Sequence, residues 1–164
     1  MRMALLTVSD SRRSHHDWSG STLVHKAQEA GHVLSEHLRV ADSLYSIRAA
    51  VSLWIDDEAI DFIVSTGGTG PTGRDLTAAA LRPLFDKELP GFGERFRQLS
   101  WEDVGQGAML SDAVLGLANG KPIFALPGSP AACSLAWDAL IAPQMSDILG
   151  MCSLGRLLPR LRER

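Results

Sequence analysis

Short apolar runs alternate along this chain with stretches of helical periodicity, and the first three runs each lead into a polar or glycine-rich loop. Met3 to Val8 reads as a buried strand, and Ser9-Asp10-Ser11-Arg12-Arg13-Ser14 as the loop behind it. Gly20 to Ala30 sets Leu23, Ala27 and Ala30 on one helical face, with Gly31 as the stop. His32 to Val40 reads as a second strand. Leu44, Ile47, Val51, Trp54 and Ile55 then form an amphipathic stripe that Asp42 or Ser43 can cap. Phe62-Ile63-Val64 is a third strand. Leu76 to Leu84, interrupted at Pro83, and Gly93 to Trp101 read as short helices. Lys121 to Leu126 is a fourth strand, and Pro130 suits the first position of a helix reaching about Leu140. Val104 to Gly120 is mixed and punctuated by glycines, and no element is assigned to it.

Strands alternating with helices require right-handed crossovers and a mostly parallel sheet covered on both faces, the α/β class. A chain of 164 residues fits one domain. Residues 1–150 are taken as that domain and residues 151–164 as a basic C-terminal tail, because Arg156 to Arg164 holds four arginines and few apolar residues. That tail is expected to be partly disordered or to serve as an interface arm. Trp54 and Trp137 are expected in the core or at a subunit contact. Phe92, Phe96 and Trp101 are candidates for a subunit contact, since helical spacing does not separate core from interface.

Composition removes several function classes. A formal charge of −3 argues against a general nucleic-acid binder. No apolar run approaches the ~20 residues of a membrane span, and the N-terminus runs straight into a strand without a cleavage site. Cytoplasm follows by default. The two cysteines, Cys133 and Cys152, form no C-x-x-C pair and read as reduced thiols, Cys133 buried. His15, His16, His25, His32 and His37 have neither metal spacing nor a partnered nucleophile. Ser129 in Pro-Gly-Ser-Pro lacks the nucleophile elbow of a hydrolase.

Open α/β sheets bind ligands beyond the carboxyl ends of their strands. Three loops fall there: Ser9 to Ser14, Thr66 to Asp75 and Pro127 to Pro130, with Asp42 at the end of the second strand. Thr66-Gly67-Gly68-Thr69-Gly70 is the strongest local signal, because glycines after a strand allow positive φ and a nest of amides that holds an anion. It is neither a P-loop nor a dinucleotide fingerprint, and a plain tight turn remains open. Arg74, Asp75 and Thr77 follow closely and add a cation, an acid and a hydroxyl. Asp42 and Asp75 make a candidate magnesium pair, since magnesium takes one or two carboxylates plus substrate phosphates. Each acid alone reads equally well as a helix cap. Ser9, Asp10, Ser11 and Arg12 offer hydroxyls, an acid and a guanidinium for phosphate, with a solvated loop as the alternative.

Taken together, these segments resemble the molybdenum cofactor biosynthesis protein B and molybdopterin adenylyltransferase family. The stretches are Thr7-Val8-Ser9-Asp10-Ser11-Arg12, Asp17-Trp18-Ser19-Gly20, Val40-Ala41-Asp42, and Thr66 to Gly70 with Arg74-Asp75-Leu76-Thr77. Pro90-Gly91-Phe92-Gly93-Glu94, Leu110-Ser111 and Leu126-Pro127-Gly128-Ser129-Pro130 follow in family order, over about residues 4 to 148. The resemblance implies a three-layer αβα sandwich, the molybdopterin-binding domain fold, assembled as a homo-oligomer, either a trimer or a hexamer built as a dimer of trimers. It implies transfer of AMP from Mg-ATP to the terminal phosphate of molybdopterin, releasing pyrophosphate. Asp42 and Asp75 then fall at the acidic functional positions and hold Mg2+. The glycine loop and Arg74 would hold phosphate, and Ser111, Pro127, Gly128 and Ser129 would line the pterin pocket. Two departures stand out. Ala78-Ala79 stands where the family often has Pro-Glu, and Asp112 stands where an arginine is common. They favour the alternative of a non-catalytic molybdopterin-binding or carrier protein of the same pathway.

Overall fold

The computed structural model describes residues 1–10, 16–146, 148–161 and 163. Its strands are β1 (Arg2–Val8), β2 (Val33–Val40), β3 (Phe62–Thr66), β4 (Lys87–Glu88), β5 (Val114–Ala118) and β6 (Lys121–Leu126). They form one sheet in the order β2-β1-β3-β6-β5-β4. β1, β2, β3 and β6 pair in parallel, and β5 runs antiparallel to both of its neighbours. The register sets Leu5 between His37 and Val64, so successive β1 side chains face opposite layers.

That alternation divides the core in two. Met3, Leu5, Phe62, Val64, Phe124 and Leu126 meet one helical layer. It consists of α1 (Trp18–Glu29), α4 (Gly91–Val104), α5 (Pro130–Ala136) and α7 (Leu154–Leu161). Ala4, Leu6, Val8, Ile63 and Ala125 meet the other layer, α2 (Leu44–Asp56) and α3 (Thr77–Leu81). The result is the expected α/β three-layer sandwich. A 3-10 turn (Arg82–Leu84) follows α3 where Pro83 interrupts it, and another (Gly105–Leu110) follows α4. A π-helical turn (Trp137–Ile141) joins α5 to α6 (Ala142–Gln144).

Three expectations change. The unassigned stretch before Gly120 contains β5, which turns into β6 through Asn119-Gly120, with φ of 48° and 74°. Two successive positive φ values make the type I′ hairpin turn that Asn-Gly favours. Phe92 and Phe96, suggested as subunit contacts, are core residues, whereas Trp101 is 49% exposed. The segment taken as a basic tail folds as α7 and buries Leu154 and Leu158 against the first layer. Its leucines recur at helical spacing, so one face is apolar while its arginines face outward. No helix among the described residues is long and apolar enough to cross a membrane.

Lys121 is 3% exposed and lies at the start of β6, away from the carboxyl rim. Its ammonium donates to the carbonyls of Trp54, Ile55 and Asp57 at 2.9, 2.7 and 2.6 Å, capping the end of α2. Lys121→Met keeps the bulk and strips these bonds from carbonyls that water reaches poorly. The expected cost is about 2–4 kcal/mol in urea unfolding, with ligand affinity unchanged. A cost under about 0.5 kcal/mol would mean that water replaces the ammonium at no loss.

Candidate functional site

From β1 the chain passes to β2 on one side and later to β3 on the other. The carboxyl ends of β1 and β3 therefore flank a topological switch point, where a crevice opens. A cleft of about 770 Å³ lies there. Ser9 enters it from the loop after β1. Gly67 to Gly70 and Asp75 enter from the loop after β3, and Pro127, Gly128 and Ser129 from the loop after β6. Ser111 closes it from the segment before β5.

The glycine loop is locked by close approaches. Gly67 has φ of +96°, and a Cβ there would lie 2.1 Å from the Val8 carbonyl oxygen. Its N–H donates to Leu126 O at 3.0 Å. Gly68 has φ of +64°, and its Cβ would lie 2.4 Å from Thr77 Oγ1 and 2.5 Å from Asp42 Oδ2. Only glycine tolerates both the conformation and the crowding. Thr77 then staples the loop, its hydroxyl donating to Gly67 O and its amide to Gly68 O. Thr66 is buried rather than on the cleft wall, and its hydroxyl donates to Pro127 O at 2.9 Å, tying two loops together.

Both acids stand against this loop. A Cβ at Gly70 would lie 2.7 Å from Asp75 Oδ2. Asp75 faces the cleft, and the Thr72 hydroxyl and amide donate to its Oδ2 at 2.6 and 2.9 Å. The Thr72 hydroxyl foremost holds its pKa below the usual Asp value. Asp42 lies beside Gly68 and is not a wall residue. It does not cap the helix that follows it, since Ser43 holds the cap position of α2. Instead its Oδ1 accepts from the Leu76 amide at 3.0 Å. Burial, then the nearby charges of Asp10 and Asp75, push its pKa up against the pull of the Leu76 bond. Among the described residues, no group of three or more His, Cys, Asp or Glu side chains is placed to hold a metal ion.

The remaining site residues divide. Asp10 and Arg74 do not line the cleft. They pair at 2.8 Å, and Asp10 also accepts from the Asp42 amide at 2.8 Å. Ser11 and Arg12 lie outside the described residues. Ser129 caps α5 through the Ala132 amide. The Ser111 hydroxyl is buried without a hydrogen-bond partner, while its carbonyl accepts from Arg97. Asp112 is turned away from the cleft. Arg82 grips it at 2.9 and 2.7 Å, and that guanidinium keeps the acid ionised, its pKa below the ordinary value. The Asp112 amide donates to Thr69 O, bracing the glycine loop. Ala79 is exposed on α3 and also off the cleft.

Sequence reasoning missed a second polar group on the wall. Asp17 caps α1 through the Gly20 amide at 2.7 Å and also accepts from the Thr7 hydroxyl. His37 Nε2 lies 3.0 Å from Thr7 Oγ1 and 3.3 Å from Asp17 Oδ2. Burial opposes ionisation of Asp17, but the Thr7 and Gly20 bonds outweigh it and lower its pKa. An acid three residues before Gly20 at a helix start was the available signal. Its meeting with β1 and β2 was not readable locally.

Cys133 is fully buried, within 3.2 Å of Thr66 Oγ1 and 3.3 Å of Pro127 O. Burial pushes its thiol up to about 11. Iodoacetamide at pH 7.5 is expected to modify exposed Cys152 and spare Cys133 until the protein unfolds. Native alkylation of both thiols at similar rates would contradict this burial.

The sequence model of a family described as "probable molybdopterin binding domain" matches residues 4–147. Molybdenum cofactor biosynthesis protein B of Escherichia coli K12 is 49% identical over 152 residues, covering 93% of this chain and 89% of that protein. The protein of the same name from Bacillus subtilis 168 is 39% identical over 150 residues, covering 91% and 88%. A crystal structure of molybdenum cofactor biosynthesis protein B is similar at a TM-score of 0.88 and 39% identity, covering 99% of this chain and 96% of that one. The tungsten cofactor synthesizing protein MoaB from Pyrococcus furiosus is similar at 0.82 and 30%, covering 99% and 97%.

Proposed function

Because this chain belongs to the molybdopterin-binding domain family and serves molybdenum cofactor biosynthesis, we propose that its cleft transfers AMP from ATP to molybdopterin. One observation carries the reading: two carboxylates from separate strand ends stand against one glycine loop at the rim of the sheet. That is the equipment of a site for a metal-bound polyphosphate.

In the proposed reaction, an oxygen of the molybdopterin terminal phosphate bonds to the α-phosphorus of ATP. The bond from that phosphorus to the bridging oxygen breaks, and pyrophosphate leaves. Such chemistry depends on positioning and charge neutralisation. Asp42 and Asp75 would hold Mg2+, which when bound withdraws charge from the α-phosphate and the leaving pyrophosphate. Thr72 keeps Asp75 ionised, and the Leu76 amide aims Asp42. Gly67 has its N–H engaged by Leu126 and Gly70 gives its own to Asp75, so the anion-holding amides would be those of Gly68 and Thr69. Ser111 lines the same cleft, and its hydroxyl would have to turn outward to meet the pterin. The same reading includes a homo-oligomer, trimer or hexamer. Exposed Trp101 and Met109 are candidates for burial in it, and sedimentation velocity tests this.

A second reading, a non-catalytic molybdopterin carrier, is favoured by Arg74. Its guanidinium is held by Asp10 off the cleft, leaving Arg39 as the arginine among the described wall residues. Incubation with molybdopterin, Mg2+ and ATP labelled at the α-phosphate decides between them. AMP-linked pterin and pyrophosphate are expected. Retained pterin binding with no labelled pterin would leave the carrier.

A further inference from the structure

Trp18 is 67% exposed, yet it is a wall residue of the cleft. α1 does not need it for packing, because the helix buries Ser19, Gly20, Leu23 and Ala27 instead. A large indole left in water forgoes burial that a Trp ordinarily achieves. Its backbone is well fixed. Asp17 caps the helix immediately before it, and the Thr22 hydroxyl donates to Trp18 O at 2.8 Å. The His16 ring sits alongside, with centroids 5.3 Å apart and planes tilted by 32°. Elsewhere the walls include Val104, Leu110, Ala131 and Leu135, so the cleft has an apolar part beside its glycine loop. Its volume suits a ligand of nucleotide size.

We propose that the Trp18 indole is the ring-binding wall of this cleft, stacking on a fused heteroaromatic ring whose phosphate end lies at Gly68 and Thr69. This rests on the proposed function and deepens it, since adenine and pterin share that chemistry. Stacking tolerates any flat π-face, so the wall selects for a ring without reading its edge.

The test is calorimetric titration of the full chain with three probes: Mg-ATP, a pterin carrying a phosphorylated side chain, and inorganic tripolyphosphate with Mg2+. Trp18→Ala is expected to weaken one or both ring-bearing probes about tenfold or more, while Trp18→Phe stays within about threefold. Tripolyphosphate, which lacks a ring, is expected to bind wild type and Trp18→Ala alike. The ring probe that loses affinity identifies the base that the indole faces. Equal affinity of Trp18→Ala and wild type for both ring probes overturns the wall and leaves the proposed function standing. An equal loss for all three probes also overturns it, since that marks general damage to the site. Wild type that binds none of the probes overturns the wall and the proposed function together.

Discussion

Asp75→Asn is expected to lower kcat for the proposed adenylyl transfer about 10²–10³-fold, the scale of removing one electrostatic contact from a transition state. The variant keeps an oxygen for the Thr72 amide and hydroxyl, so the turn survives and only the charge is lost. With the turn intact around a half-buried side chain, the melting temperature is expected within about 2 °C of wild type. Asp42→Asn is expected to act in the same direction but less severely, because Asp42 is not on the cleft wall. The two acids also differ in sign with pH. Burial and neighbouring charges raise the Asp42 pKa above 3.8, so its ionised form costs the folded state stability at neutral pH. That cost disappears as pH falls below the unfolded value, and Asp42→Asn removes it at pH 7. Its melting temperature is therefore expected to equal or exceed that of wild type. Asp75→Asn turning over at near the wild-type rate would remove the acid pair from the mechanism.

Gly67→Ala is expected to produce the largest loss of stability, about 2–5 kcal/mol from a left-handed backbone plus overpacking. The obstacle is the Val8 carbonyl at 2.1 Å, a backbone atom of a strand paired on both sides, so it has little room to yield. The two strand ends must separate, and the loop leaves the position that Thr77 and Leu126 hold. Binding of Mg-ATP and of tripolyphosphate is expected to fall with stability. Gly31→Ala is the control. It has a similar φ of +77° with nothing within 4 Å of the added carbon, so it incurs only the conformational cost of about 1–2 kcal/mol. Matching losses in the two variants would show that the Val8 contact relaxes and that the loop is not locked by it.

Much of this site was legible because it depends on local conditions. Thr66 to Gly70 showed its need for positive φ, and Thr77 turned out to be the hydroxyl that fastens the loop. The Asn119-Gly120 turn was equally legible in principle and was passed over among other glycines. Arg74 looked like a phosphate ligand by spacing, yet Asp10, 64 residues away, holds it off the cleft. Asp112 looked like an intruding negative charge, yet Arg82 binds both of its oxygens. The arginines of 156–164 hid a leucine face that packs as α7.

Residue periodicity alone placed β1, β2, β3 and β6, the helices between them and the loops that reach the rim, but not β4, β5 or α7. The placed elements depend on periodicity and backbone preference, which neighbours in the chain set. Which polar partners meet depends on the folded arrangement: Asp10 with Arg74, Asp112 with Arg82, and Asp17 with Thr7 and His37. Ion pairs and hydrogen bonds act over a few ångströms, and that proximity between remote residues arises only when the sheet brings its strand ends side by side.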